Sequence, residues 1–247
     1  MSKLSANNIS KSYNNKEIIK DITLQLYEGE IVCLLGVSGV GKTTLFNILS
    51  GLLSPDEGSV LLDNTDITGE AGQISYMLQK DLLLPYKKVI DNVSLPLVIK
   101  GENKPDARFT AESYFEMFGI DGTQNKYPHQ LSGGMRQRAA LLRTYLFSQD
   151  VALLDEPFSA LDTITKSKMH GWYLEVMEKI KLSTLFITHD IDEAIILSDR
   201  IYIMTGMPGK ITSEIKIHHP KPREDEFILS PEFITYKREI IQTLASD

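Results

Sequence analysis

Eight consecutive residues carry the first recognisable chemistry: Gly36-Val37-Ser38-Gly39-Val40-Gly41-Lys42-Thr43, an instance of G-x-x-x-x-G-K-[ST]. Glycines at 36, 39 and 41 let the backbone turn tightly and bring its N–H groups onto phosphate oxygens. A helix beginning around Thr44 adds the positive potential of its N-terminus. Lys42 can reach the β- and γ-phosphates of a nucleotide, and the Thr43 hydroxyl can ligate Mg²⁺. Gly36, Ser38, Gly39, Gly41, Lys42, Thr43 and Thr44 are therefore candidate nucleotide-binding residues. This motif does not separate a kinase, a GTPase and a motor ATPase. A second segment, Val151-Ala152-Leu153-Leu154-Asp155-Glu156-Pro157, puts two carboxylates after an apolar run. Beside a phosphate loop, Asp155 is placed to hold Mg²⁺ and Glu156 to act as general base on an attacking water. Alone, the pair can also be read as an acidic turn after a strand.

Such residues need fixed supports. Residues 31–35 are apolar throughout and lead directly into the glycine-rich loop, as in a strand buried on both faces. Residues 151–154, 184–187 and 201–204 read the same way. Between them, Leu45, Ile48, Leu49 and Leu52 share one helical face. So do Met135, Ala139, Leu142 and Leu146, and likewise Trp172, Val176 and Ile180. Strands alternating with helices predict an α/β fold around a parallel sheet. Two regions break the rhythm. Residues 22–26 and 60–62, with turn signals at 28–29 and 54–58, predict a small antiparallel β subdomain. Residues from about 80 to 149, including a helix over 107–118, predict an inserted helical subdomain. The expected organisation is a core of residues 1–80 and 150–209, a helical insert of residues 81–149 and a tail of residues 210–247. Within the tail, residues 218–223 read as a loop and residues 227–247 as one helix. His218 and His219 belong to that loop rather than to a metal site.

Composition narrows the class. The 247 residues suit one large domain, or a core with a small subdomain. A net charge of -7 argues against nonspecific nucleic-acid binding. Cys33 is the single cysteine, so a reducing compartment is expected and an internal disulfide is not. Residues 1–10 lack the apolar stretch of a secretory leader, and no apolar run approaches the roughly 20 residues of a membrane span. The expectation is a cytoplasmic protein that meets a membrane only through a partner.

One segment decides among the nucleotide-binding classes. In Leu131-Ser132-Gly133-Gly134-Met135-Arg136-Gln137-Arg138, a serine and two glycines open a helix, gathering N–H groups and a hydroxyl at one spot. Alone, this is equally a serine N-cap followed by flexible glycines. The segment resembles the LSGGQ signature of ATP-binding cassette (ABC) ATPases, with Met135 in place of glutamine. The family's other motifs follow in order over nearly the whole chain. Tyr13 stands where the family stacks an aromatic on adenine. Gln79 matches the Q-loop glutamine, Asp162 in Ser159-Ala160-Leu161-Asp162 the D-loop, and His189 in Ile187-Thr188-His189-Asp190 the switch histidine. Read singly, Tyr13 is equally a packing residue, Gln79 a surface amide and Asp162 the N-cap of a helix over residues 163–180. Asp190 with Glu193 looks like a variant capping box, so His189 could merely precede a helix. The resemblance implies a P-loop NTPase core with ATP and Mg²⁺ as cofactors. By position it implies Lys42 and His189 on the γ-phosphate, Thr43, Gln79 and Asp155 on Mg²⁺, and Glu156 on water.

The resemblance also implies partners. In the family the signature of one subunit closes over ATP held by the P-loop of another. Ser132, Gly133 and Gly134 would then act in trans, Asp162 would connect the sites, and a second copy of the chain would complete an ATP-sandwich dimer. Residues 79–86 and the turn at 205–210 resemble importers of nitrate, sulfonates, taurine and pyrimidine precursors, with Tyr86 for a usual Trp and Met207 for a usual Arg. That subfamily implies separate integral-membrane permease subunits and, indirectly, an extracytoplasmic solute-binding protein that reads the cargo. It implies no nucleic acid, and a peripheral place on the cytoplasmic face of the membrane. Leu82, Leu83, Leu84, Tyr86, Val89, Ile90 and Val93 read either as core of the helical insert or as a groove for a permease helix, with Leu84 or Tyr86 in contact. The alternative class is an ABC ATPase of mechanotransmission, lipoprotein release or iron–sulfur assembly. The pattern at residues 82–86 favours import.

Overall fold

A computed structural model describes residues 2–223 and 225–245. β1 (Ser2–Tyr13) and β2 (Lys16–Tyr27) pair as a hairpin whose turn residues, Asn14 and Asn15, both have positive φ. β3 (Ile31–Gly36) runs into α1 (Lys42–Leu49), followed by β4 (Glu57–Leu62), β5 (Thr65–Asp66) and β6 (Ser75–Met77). Four helices come next: α2 (Val89–Val93), α3 (Leu95–Ile99), α4 (Lys104–Glu112) and α5 (Gly133–Phe147). Then come β7 (Val151–Asp155), α6 (Thr163–Ile180), β8 (Ser183–Thr188), α7 (Ile191–Leu197), β9 (Arg200–Thr205) and β10 (Lys210–Lys216). α8 (Asp225–Ile228) and α9 (Pro231–Ala245) complete the described chain.

The main sheet has the strand order β10-β9-β3-β8-β7-β6 and is parallel except for β10. The second sheet, β2-β1-β4-β5, is antiparallel. Side-chain alternation onto two covered faces explains the unbroken apolar runs inside the central strands. Along β3, Ile31, Cys33 and Leu35 enter a core shared with α2 to α7, while Val32 and Leu34 enter one shared with α1 and the antiparallel sheet. Leu154 and Phe186 fall in the first core, Leu153 and Leu185 in the second. Because β3, β7 and β8 are parallel, their C-terminal residues Gly36, Asp155 and Thr188 lie along one edge of the sheet. β6 and β7 are neighbours, with α2 to α5 inserted between them in sequence.

Four sequence expectations change. α1 stops at Leu49; Gly51 then turns at φ +74, where a Cβ would come within 2.2 Å of the Glu70 carbonyl oxygen, and Leu52 lies outside the helix and exposed. α4 ends at Glu112, not at 118. Beyond it, Tyr114 and Phe115 donate to carbonyls three residues back, and the Ser113 hydroxyl takes the Thr110 carbonyl. Residues 210–216 are an edge strand of the main sheet, with Ile215 turned inward. Residues 227–247 are not one helix: Pro231 begins α9 and the Ser230 hydroxyl accepts from Phe233 N–H, while residues 246–247 lie outside the described ones. The stretch at 218–223 is a loop in which the His219 ring stacks on Phe227.

Candidate functional site

α1 begins on a glycine, with no side-chain cap and no acid in its first turn. Its first N–H groups and its dipole are thereby left to an anionic ligand. Gly41 sits at φ +106, and a Cβ there would come within 2.4 Å of Ile19 Cγ2, so the turn demands glycine. The buried Lys42 folds back over this loop, its ammonium donating to the Gly36 carbonyl at 2.7 Å and the Val37 carbonyl at 2.9 Å. Burial lowers its pKa, against the pull of the Glu156 and Asp155 charges.

A cleft of about 330 Å³ lies at this edge. Ser38, Gly39, Gly41, Lys42, Thr43 and Thr44 line it together with Asp155, Glu156, Ile18 and Ile187. Asp155 is buried at the end of β7, and its pKa is raised by burial and then by Glu156, against the Lys42 charge and a hydrogen bond from Thr43. Tyr76 is half-buried beside it, and that partial burial with the Asp155 charge pushes the phenol pKa up. Glu156 holds a left-handed backbone at φ +45, a conformation that a non-glycine residue keeps only under local constraint. The constraint is visible: its N–H donates to the Ile187 carbonyl at 3.0 Å, and its carbonyl accepts from the Ser159 hydroxyl at 2.9 Å. Its carboxylate accepts from Gln79 Nε2 at 2.9 Å on one oxygen and meets His189 Nδ1 at 2.9 Å on the other. Two segments distant in sequence from Glu156 thus converge on its carboxylate.

The donors at the cleft suit a hard divalent cation: a threonine hydroxyl hydrogen-bonded to a desolvated carboxylate. Gln79 spends its amide nitrogen on Glu156, so its carbonyl oxygen remains available as a ligand. Among the described residues there is no group of three or more His, Cys, Asp or Glu side chains that could hold a metal ion. Oxygens of a bound phosphate would have to complete the coordination.

Other candidates lie apart from the cleft. Tyr13, at the end of β1, is 46% exposed and does not line it; Ile18, in β2, does. Ser132 caps α5 by accepting from Met135 N–H at 3.3 Å, and Gly133 and Gly134 form the first positions of that helix. The two glycines rest against Leu161 and α6: Gly133 beside Leu161, Gly134 beside Thr165 and Met169. None of the three lines the cleft. Asp162 is the N-cap of α6, accepting from Thr165 N–H at 3.1 Å. Asp190 caps α7, but Glu193 turns away from the cap to His170, so only half of a capping box forms.

A second groove of about 430 Å³ runs between the core and the helical insert, with Leu52, Tyr76, Leu82, Leu84, Ile99 and Arg143 in its walls. Tyr86 projects nearby at 73% exposure, whereas Leu83, Val89, Ile90 and Val93 are core. The loop bearing Leu84 is fixed by Asn92, fully buried, which accepts from Leu84 N–H at 2.6 Å and donates to the Leu84, Lys87 and Lys88 carbonyls. Asn92, Ile18 and Ile187 escaped the sequence reading. A polar residue inside an apolar helical stretch was the available signal for Asn92; nothing marked the two isoleucines.

A phosphate loop and paired carboxylates at one edge of a parallel α/β sheet define a nucleotide-hydrolysing P-loop protein. The family model described as ABC transporter matches residues 19–159. The chain is 45% identical over 210 residues to the formylaminopyrimidine import ATP-binding protein ThiZ of Halalkalibacterium halodurans, covering 85% of this chain and 82% of that protein. It is 35% identical over 232 residues to the nitrate import ATP-binding protein NrtD of Synechocystis sp., covering 92% and 87%. The dimeric structure of MJ0796, a bacterial ABC transporter cassette, superposes with a TM-score of 0.73 at 29% identity, covering 88% of this chain and 100% of that one. The chain belongs to the ABC transporter family and is an ATPase of that family.

Proposed function

We propose that this chain hydrolyses Mg²⁺–ATP in an ATP-sandwich dimer and thereby powers uptake of a small solute through separate membrane permease subunits. The convergence of Gln79 and His189 on Glu156, in the cleft that Lys42 also lines, carries the hydrolytic reading. Lys42, Ser38, Gly39 and Gly41 cradle the phosphates, and Lys42 leaves its loop carbonyls for them. Thr43, Asp155 and Gln79 hold Mg²⁺, which neutralises charge on the phosphates when bound. Glu156 takes a proton from the attacking water, and His189 fixes it and stabilises the γ-phosphate. Gly36 ends the strand that delivers the loop, and Tyr13 stacks on adenine at the rim. Ser132, Gly133 and Gly134 close over the nucleotide of the partner copy, with Asp162 between the sites.

The import reading is supported by the printed functions of the relatives and by the second groove. Leu52, Leu82 and Leu84 offer an apolar surface where the Gln79 segment enters the helical insert, suited to a short permease helix. No described helix is long and apolar enough to cross a membrane, so on this reading the spans belong to the permeases and the chain sits peripherally at the cytoplasmic face. The solute is read by those permeases and an extracytoplasmic binding protein.

Co-purification from detergent-solubilised membranes of the source cell tests this. The tagged chain should bring down a membrane permease, and Leu84→Asp should lose it while still binding ATP. A chain that recovers no membrane protein would sink the import reading. Glu156→Gln should retain ATP binding, lose nearly all turnover and accumulate as dimer; normal turnover would remove Glu156 from the role of base.

A further inference from the structure

Two side chains one turn apart on α6 anchor the helix that follows His189, and neither belongs to the motifs legible in the sequence. Lys166 Nζ lies 2.7 Å from Asp190 Oδ2 and 3.5 Å from Glu193 Oε1. His170 Nε2 meets the same Glu193 oxygen at 3.1 Å. Glu193 is 2% exposed, so its carboxylate has left water and depends on these partners. Asp190 follows His189 directly and caps α7, accepting from the Asp192 and Glu193 N–H groups at 3.0 and 3.2 Å. The position of His189 over Glu156 is therefore tied to α6 through both ends of this network. On its other side, the His170 ring meets Phe158, two residues beyond Glu156, edge to face at 5.0 Å. The neighbouring face of the same helix, at Thr165 and Met169, supports Gly134.

We infer that Lys166 and His170 are positioning residues for hydrolysis: by holding Asp190 and Glu193 to α6, they fix His189 against Glu156. Neither lines the phosphate cleft, so they act through His189 and not on the nucleotide. Displacing a catalytic group by about 1 Å is enough to slow a reaction severely. The inference rests on the roles proposed above for His189 and Glu156.

Steady-state ATPase kinetics of the purified full chain test it, with thermal unfolding measured alongside. Lys166→Met should lower kcat about tenfold with KM for ATP within about twofold of wild type. Lys166→Arg, which keeps the cation, should retain about half the activity or more. His189→Ala should lower kcat further, and adding Lys166→Met to it should cause no loss beyond about twofold, because the pathway is already broken. An undiminished Lys166→Met loss on the His189→Ala background overturns the inference, as does an unchanged kcat for Lys166→Met alone. If Lys166→Met fails to fold, the same cycle with His170→Ala decides. Wild-type turnover by His189→Ala would instead overturn the role proposed for the histidine itself.

Discussion

At the scale of single residues, the site is held at a disadvantage to the fold. Asp155 is buried and stands beside Glu156, and both effects raise its carboxyl pKa. A carboxyl whose folded pKa exceeds its unfolded value weakens the folded state when ionised. That loss is present at neutral pH and fades as pH falls through the raised pKa towards 3.8. Asp155→Asn should therefore stabilise the nucleotide-free chain by about 1 kcal/mol at neutral pH, seen as a higher urea midpoint, while abolishing hydrolysis. The gain should shrink on acidification. A midpoint no higher than wild type at neutral pH would mean that the Thr43 hydrogen bond and Lys42 fully offset burial. Glu156 shows a similar tension in its backbone, kept left-handed by bonds to Ile187 and Ser159. Spacing revealed the identity of both carboxylates. It did not reveal the φ of Glu156, because that is set by β8 and the following turn.

Among the elements, the last segments do more than trail from the core. Arg223 is buried, and burial pulls its pKa down to about 10. Its Nη1 donates to the Ile195, Ile196 and Ser198 carbonyls at the end of α7, and its Nη2 to those of Ile217 and His219. One side chain from the loop after β10 thus closes the C-terminus of the helix that His189 precedes, where a cation also suits the dipole. Arg223→Met leaves several buried carbonyls without donors and should lower stability by about 3 kcal/mol, measured by urea unfolding. A loss below about 0.5 kcal/mol, the size of an ordinary surface change, would show that water replaces the guanidinium. Elements such as this explain which parts of the fold were legible. β3, β7, β8 and β9 are buried at every position, and their interiors are unbroken apolar runs because both faces are covered, which is a local signal. β6 is three residues long, and β10 alternates weakly at a sheet edge; both exist because a neighbouring strand is there to pair with. The α4 pattern continued past Glu112 because periodicity cannot see the Ser113 hydroxyl taking a main-chain carbonyl.

The whole molecule poses a further question, because its phosphate loop and its signature do not meet. Lys42 lines the cleft; Ser132 does not, and Gly133 and Gly134 lie beside Leu161, Thr165 and Met169 instead. The chain also resembles a cassette known as a dimer. A two-fold dimer in which each signature completes the other copy's cleft makes a prediction that one chain alone cannot satisfy. Lys42→Ala destroys the cleft and leaves the signature; Gly134→Asp places a negative charge at the signature and leaves the cleft. Each variant should be nearly inactive by itself. Mixed in equal amounts, they should form heterodimers with one intact site, made from the cleft of the Gly134→Asp chain and the signature of the Lys42→Ala chain. Random pairing makes about half the dimers mixed, each with one good site of two, so about one quarter of wild-type ATPase activity should return. A mixture as inactive as its components would argue that each chain closes its own site or that both sites must fire together. Trapping on a Glu156→Gln background separates these outcomes: ATP-dependent mixed dimers still form if the site is shared, and fail to form if it is not.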